Sequence, residues 1–156
     1  MIVVDSNVLA ARNLTGPQTL LAGQVEKCDP VWIVPPLWRY EFQNILAKAI
    51  WAQLITPDDA VTVWKKATAQ LSENEHDPNP EKVLDLSTRH HITAYDANFI
   101  ALAMEMGVSC VTEDRELLTK FPLIATSMED FVKQGTADEV HETRALYRTR
   151  KINKKK

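Results

Sequence analysis

Ile2-Val3-Val4-Asp5 decides how this chain is to be read: three β-branched residues in a row, then an acid. A short, unbroken apolar run fits a strand buried on both faces, as parallel sheets covered by helices require. Two more such runs follow, Val31-Trp32-Ile33-Val34 and Ser109-Cys110-Val111, with helical stretches between them. Strands that alternate with helices predict an α/β fold with a short, mainly parallel central sheet.

Working outward, a helix is expected to open at residues 5–8 and a second to run over 17–27 with Pro17 in its first turn. Pro35-Pro36 stops the second strand, and Leu37, Tyr40, Phe42, Ile45, Leu46 and Ala49 give the helix expected over 37–53 an apolar face. Thr56-Pro57 reads as an N-cap followed by Pro at the first helical position, opening a helix to residue 71. Residues 72–80 read as a polar loop, and a helix is expected over 81–90. Thr93-Ala94-Tyr95-Asp96 opens a strongly apolar helix that closes near Gly107, a natural C′ residue. A short helix over 115–120, a last strand within 123–126 and a short helix over 128–133 complete the expectation.

The bulk numbers fit one soluble domain: 156 residues, 45% hydrophobic and 25% charged. No apolar run approaches the roughly 20 residues that span a bilayer, and no leader pattern precedes the first strand, so a cytoplasmic location is expected. Cys28 and Cys110 lack metal-ligand spacing and are expected to be buried, reduced thiols. Charge is uneven: residues 1–132 hold 10 Lys and Arg against 18 Asp and Glu, whereas 133–156 hold 8 against 3. The chain therefore divides into a domain over 1–132 and a polar C-terminal helix with a basic tail over 133–156. Arg144, Arg148, Arg150 and Lys151 lie in that tail, which is attracted to polyphosphate or is simply a solvated terminus.

Four acids fall where such a sheet gathers groups, beyond the carboxyl ends of its strands. Asp5 and Asp114 follow strands, Glu41 lies in the helix fed by the second strand, and Asp96 opens the helix before the third. Gathered carboxylates repel, and a hard divalent cation with oxygen ligands is the usual remedy. Asp5, Asp96 and Asp114 also read as helix caps, because Asp is a favoured N-cap residue. Glu41, flanked by Tyr40 and Phe42, has no cap role and otherwise faces water or pairs with Arg39 or Lys48. His76, His90, His91 and His141 are poorly placed for catalysis.

These residues resemble a known family. The strings Ile2-Val3-Val4-Asp5-Ser6-Asn7-Val8-Leu9 and Leu37-Trp38-Arg39-Tyr40-Glu41-Phe42-Gln43-Asn44-Ile45-Leu46 look like the first two acidic motifs of PIN-domain ribonucleases. Thr93-Ala94-Tyr95-Asp96-Ala97-Asn98-Phe99-Ile100-Ala101-Leu102-Ala103 is similar to the third, and Val111-Thr112-Glu113-Asp114-Arg115-Glu116-Leu117 to the fourth. The resemblance covers residues 1–132, and chains of this size look most like the VapC-type toxins of toxin–antitoxin pairs. It implies a PIN-like three-layer α/β/α sandwich and an endoribonuclease dependent on Mg²⁺ or Mn²⁺. Asp5, Glu41, Asp96 and Asp114 then match the metal ligands, and Thr112 the hydroxyl that orients a carboxylate or water. Asn7 matches a polar position near the substrate, and Arg115 joins the tail residues as a candidate phosphate contact. A homodimer restrained by a small antitoxin is implied as well, with Trp38, Trp51 and Trp64 marking helices that pack together or meet a partner. Two rivals remain: a PIN nuclease or RNA-binding module of RNA processing, and a phosphatase or receiver-type protein using Asp5. The second would want another acid where Asn7 stands, and a chain with 4 Gly offers little for a phosphate loop.

Overall fold

The computed structural model describes residues 1–135. Four parallel strands form one sheet in the order β2-β1-β3-β4, with β1 (Ile2–Val4) and β3 (Cys110–Val111) at its centre. β2 (Trp32–Ile33) and β4 (Ala125–Thr126) form the edges. Val3 pairs with Ile33 on one side and Cys110 on the other, so every residue of β1 is enclosed. That enclosure explains the unbroken apolar run.

Helices cover both faces, and alternation along β1 divides the core in two. Ile2 and Val4 point to one layer, with α1 (Ser6–Asn13), α2 (Thr19–Cys28), α3 (Trp38–Trp51) and α4 (Pro57–Leu71). Val3 points to the other, with α5 (Pro80–His90), α6 (Ala94–Met106) and α7 (Arg115–Lys120). The arrangement is the expected three-layer α/β/α sandwich. Helical turns resume over 128–135, and the polar helix and basic tail expected beyond lie outside the described residues.

Most boundaries follow their local signals. Thr56 caps α4 in a full capping box with Asp59, and Gly107 ends α6 at φ 66°. Three expectations need correction. Tyr40, expected on the apolar face of α3, is 73% exposed. Pro17 lies ahead of α2 in a turn, where the Thr19 hydroxyl bonds the Leu14 carbonyl and the Gly16 amide, so the helix opens at Thr19. Cys28 is exposed at the end of α2, whereas Cys110 is buried and its burial pushes the thiol well above its ordinary pKa.

The loop after α4 is stitched to the sheet edge. Val34 forms a parallel bridge to Glu75, and one Glu75 oxygen accepts from both Trp38 Nε1 and Arg39 Nε, each at 2.6 Å. Trp38 is fully buried and stacks on Trp64 at 5.4 Å, which joins α3 to α4. Arg39 is thereby committed to Glu75, not to Glu41. Glu75→Ala strands the buried Trp38 N–H without an acceptor, at a cost of roughly 2 kcal/mol. Thermal melting should then show a fall of roughly 4–8 °C, whereas an unchanged melting temperature would mean that water replaces the carboxylate.

Candidate functional site

The order β2-β1-β3-β4 makes the junction of β1 and β3 a topological switch point, because the chain leaves β1 toward one edge and reaches β3 from the other. Beyond the carboxyl ends of strands at such a point, a crevice opens between diverging connections. Asp5 leaves β1 there, with its backbone N–H bonded to the Val111 carbonyl. It occupies the N-cap position of α1 without capping it, since its side chain makes no cap bond. The carboxylate turns instead across the sheet edge. Its Oδ2 accepts from Thr112 Oγ1 at 2.6 Å and from Asn7 Nδ2 at 2.7 Å.

Thr112, fully buried, is the hub of this edge. While donating to Asp5, its hydroxyl oxygen accepts from Asn7 Nδ2 at 3.1 Å and from the Asp114 backbone N–H at 3.0 Å. Asn7 closes the ring through its Oδ1, which takes the Glu113 N–H at 3.1 Å. Both ends of the Asn7 amide are therefore engaged in bracing the first acid against the loop after β3. Its geometry is that of a strut between the first acid and that loop.

The other acids come from three further elements. Glu41 lies in the first turn of α3, and its Oε2 accepts from Ser6 Oγ at 2.6 Å, so neither Arg39 nor Lys48 neutralises it. Asp96 is the third residue of α6, where its Oδ2 accepts from the Thr93 cap hydroxyl at 2.6 Å. Asp114 does cap its helix: Oδ1 takes the N–H groups of Glu116 and Leu117 at 2.7 and 3.1 Å. Cap and site roles are thus compatible for Asp114, because one oxygen suffices for the cap.

These carboxylates share one electrostatic field. Burial raises the Asp5 pKa above the usual carboxylate value against the pull of the Thr112 bond, and the charges of Asp96 and Asp114 raise it further. Glu41 is raised as well, first by burial and then by Asp5 and Asp96, with the Ser6 bond opposing. Each acid is nonetheless turned to its own local donor. As they stand, no three Asp, Glu, His or Cys side chains among the described residues form a group that could hold a metal ion. The edge is an acidic surface with an oriented centre at Asp5, not a preformed ligand cage.

Sequence reasoning missed Ser6 and left Glu113 unplaced. Ser6 is buried and ties α1 to Glu41, a role that no local pattern in the sequence signals. Glu113 accepts from the Met128 N–H at 2.9 Å and so starts the turns over 128–135. Arg115 is exposed beside Asp114. Arg144, Arg148, Arg150 and Lys151 lie outside the described residues. A cavity of about 610 Å³ lies at the opposite, amino end of the strands, lined by Ile2, Val108, Ser109 and Ile124, and takes in none of the four acids.

An α/β sandwich with acids at the carboxyl edge of a parallel sheet defines a class to which the comparisons give a name. Residues 2–121 match the PIN domain, and the chain belongs to that family. Among its relatives, Ribonuclease VapC3 of Pyrobaculum aerophilum is 28% identical over 129 residues, covering 80% of this chain and 98% of the relative. The crystal structure of PAE2754 from Pyrobaculum aerophilum superposes with a TM-score of 0.69 at 25% identity, over 87% of this chain and 89% of the other. FitAcB from Neisseria gonorrhoeae shares the fold at a TM-score of 0.61 and 13% identity, over 82% and 98% of the two chains. Among the described residues, no helix is long and apolar enough to cross a membrane.

Proposed function

We propose that this protein is an endoribonuclease dependent on Mg²⁺ or Mn²⁺, with Asp5, Glu41, Asp96 and Asp114 holding the cation directly or through water. The observation that carries the reading is Asp5: a buried carboxylate at the switch point, oriented by Thr112 and Asn7, with the like charges of Asp96 and Asp114 acting on it. Burying uncompensated negative charge is costly unless a cation is to be held there. The donor set suits a hard divalent ion, because it is all oxygen and comes from four separate elements. For all four acids to serve, Glu41 and Asp96 must turn from Ser6 and Thr93 toward Asp5. When bound, such a cation activates a water and neutralises charge on a phosphodiester.

The chain's own residues divide the remaining work. Thr112 and Asn7 hold Asp5 in one orientation, Ser6 holds Glu41 while no cation is bound, and the Asp114 cap fixes the entry of α7. Arg115, and the tail residues Arg144, Arg148, Arg150 and Lys151, supply positive charge for flanking phosphates, which the acidic edge would otherwise repel. The relative named as a ribonuclease supports RNA as the substrate.

The finer reading is a VapC-like toxin, a homodimer restrained by a small antitoxin. An apolar groove of about 320 Å³ between α3 and α4, lined by Leu46, Ile50, Ala60, Val61 and Trp64, supports a protein partner. Trp51 and Leu54 stand exposed near its end. The test is direct: the purified chain should cleave single-stranded RNA with Mg²⁺ or Mn²⁺ and stop when EDTA is added. Cleavage that persists in EDTA, or none with either metal, would sink the proposal.

A further inference from the structure

Two exposed rings flank the acidic edge in the same way. Tyr40 directly precedes Glu41 and is 73% exposed, and Tyr95 directly precedes Asp96 and is 63% exposed. Both lie in the first turn of a helix whose N-terminus faces the carboxyl edge of the sheet. The helices belong to opposite layers, α3 packing with the layer of Val4 and α6 with that of Val3. Neither ring stacks on another aromatic of the described residues, and neither hydroxyl has a hydrogen-bond partner among them. A helix rotates by about 100° per residue, so when Glu41 turns inward to Ser6, the ring before it is left at the rim.

Resting on the reading of the edge as a ribonuclease site, we propose that Tyr40 and Tyr95 form a split stacking platform for the bases of single-stranded RNA. One ring stands on each bank of the acids, so a strand laid across the edge has a π-face on either side of the scissile phosphate. Stacking holds bases without reading their sequence, because every base offers such a face. It also selects single strands, since bases inside a duplex are already stacked and unavailable. The rings complement Arg115: a cation draws the phosphates, whereas a tyrosine adds affinity for the bases and leaves the charge of Glu41 and Asp96 intact.

The test uses the full chain, a short fluorescein-labelled single-stranded RNA of mixed sequence and its duplex. Tyr40→Ala and Tyr95→Ala should each weaken single-strand binding in EDTA by about 5- to 150-fold, the range expected for loss of one base stack. In Mg²⁺ the loss should appear in KM rather than in kcat, and duplex binding should not move. Tyr→Phe should restore binding and Tyr→Leu should not, while melting temperatures stay at the parent value. Unchanged single-strand binding in both Ala variants, or rescue by Leu, overturns the platform and assigns the rings to a protein-facing surface. A parent chain that fails to cleave but still loses RNA binding on Tyr→Ala keeps the platform and removes the hydrolytic reading. A cleaving parent with neutral Tyr→Ala variants does the reverse.

Discussion

Asp5→Asn should abolish metal-stimulated RNA cleavage and, in the same protein, raise the melting temperature measured in EDTA. The first effect follows from charge. Asn keeps the shape and still accepts the Thr112 hydroxyl bond, but it no longer offers an anionic oxygen at the centre of the edge. If the cation lowers the barrier by several kcal/mol, its loss reduces the rate on the order of a thousandfold. The second effect follows from the same burial. Asp5 has a folded-state pKa raised above its unfolded value, so its favourable contribution is present below the unfolded pKa and is lost as pH rises through the folded one. At neutral pH the carboxylate is therefore a liability to the metal-free fold, and removing its charge relieves it. Added Mg²⁺ should raise the melting temperature of the parent and leave that of Asp5→Asn unmoved. A variant that cleaves like the parent, or melts lower in EDTA, contradicts the assignment.

Thr112→Val should reduce cleavage by about 10- to 100-fold, the usual range when a residue that orients a ligand is lost. Valine has nearly the same shape, so the methyl packing survives. Three partners lose the hydroxyl at once: the Asp5 carboxylate, the Asn7 amide and the Asp114 N–H. Leaving such groups short of partners in a buried place costs about 1–3 kcal/mol, so the variant should also melt lower. Thr112→Ser retains the hydroxyl and should recover most of the activity, which separates the bond from the bulk. Equal activity in Thr112→Val and the parent would show that Asn7 alone suffices to aim Asp5.

Much of this arrangement was legible in the chain because its signals are local. Ile2-Val3-Val4 announces an enclosed strand, Thr56-Pro57 a helix start and Gly107 a helix end. The acids were legible too, and the family resemblance supplied Thr112 as a hydroxyl that orients a carboxylate, but which acid it meets was not. Nothing in the vicinity of Asp5 says that its oxygen meets Thr112, because that bond spans 107 residues. Ser6 reads as an ordinary first-turn residue until Glu41 arrives from α3, and Glu75 reads as loop until it bridges Val34. Pro17 misled because proline favours a turn as readily as the first turn of a helix. Periodicity and caps report what neighbours in sequence do; hydrogen bonds between elements report the sheet order, which no short window contains.

The central position of β1 carries a consequence for how the molecule comes into being. β1 must wait for β3 before its second edge is paired, a separation of more than a hundred residues in register between Val3 and Cys110. Contacts so distant along the chain close slowly, because loop entropy is lost before they repay it. The network around Asp5 therefore assembles late, after Thr112 and Asp114 have emerged. Until then a nascent chain carries Asp5, Glu41 and Asp96 without the Thr112 hydroxyl that aims the first of them.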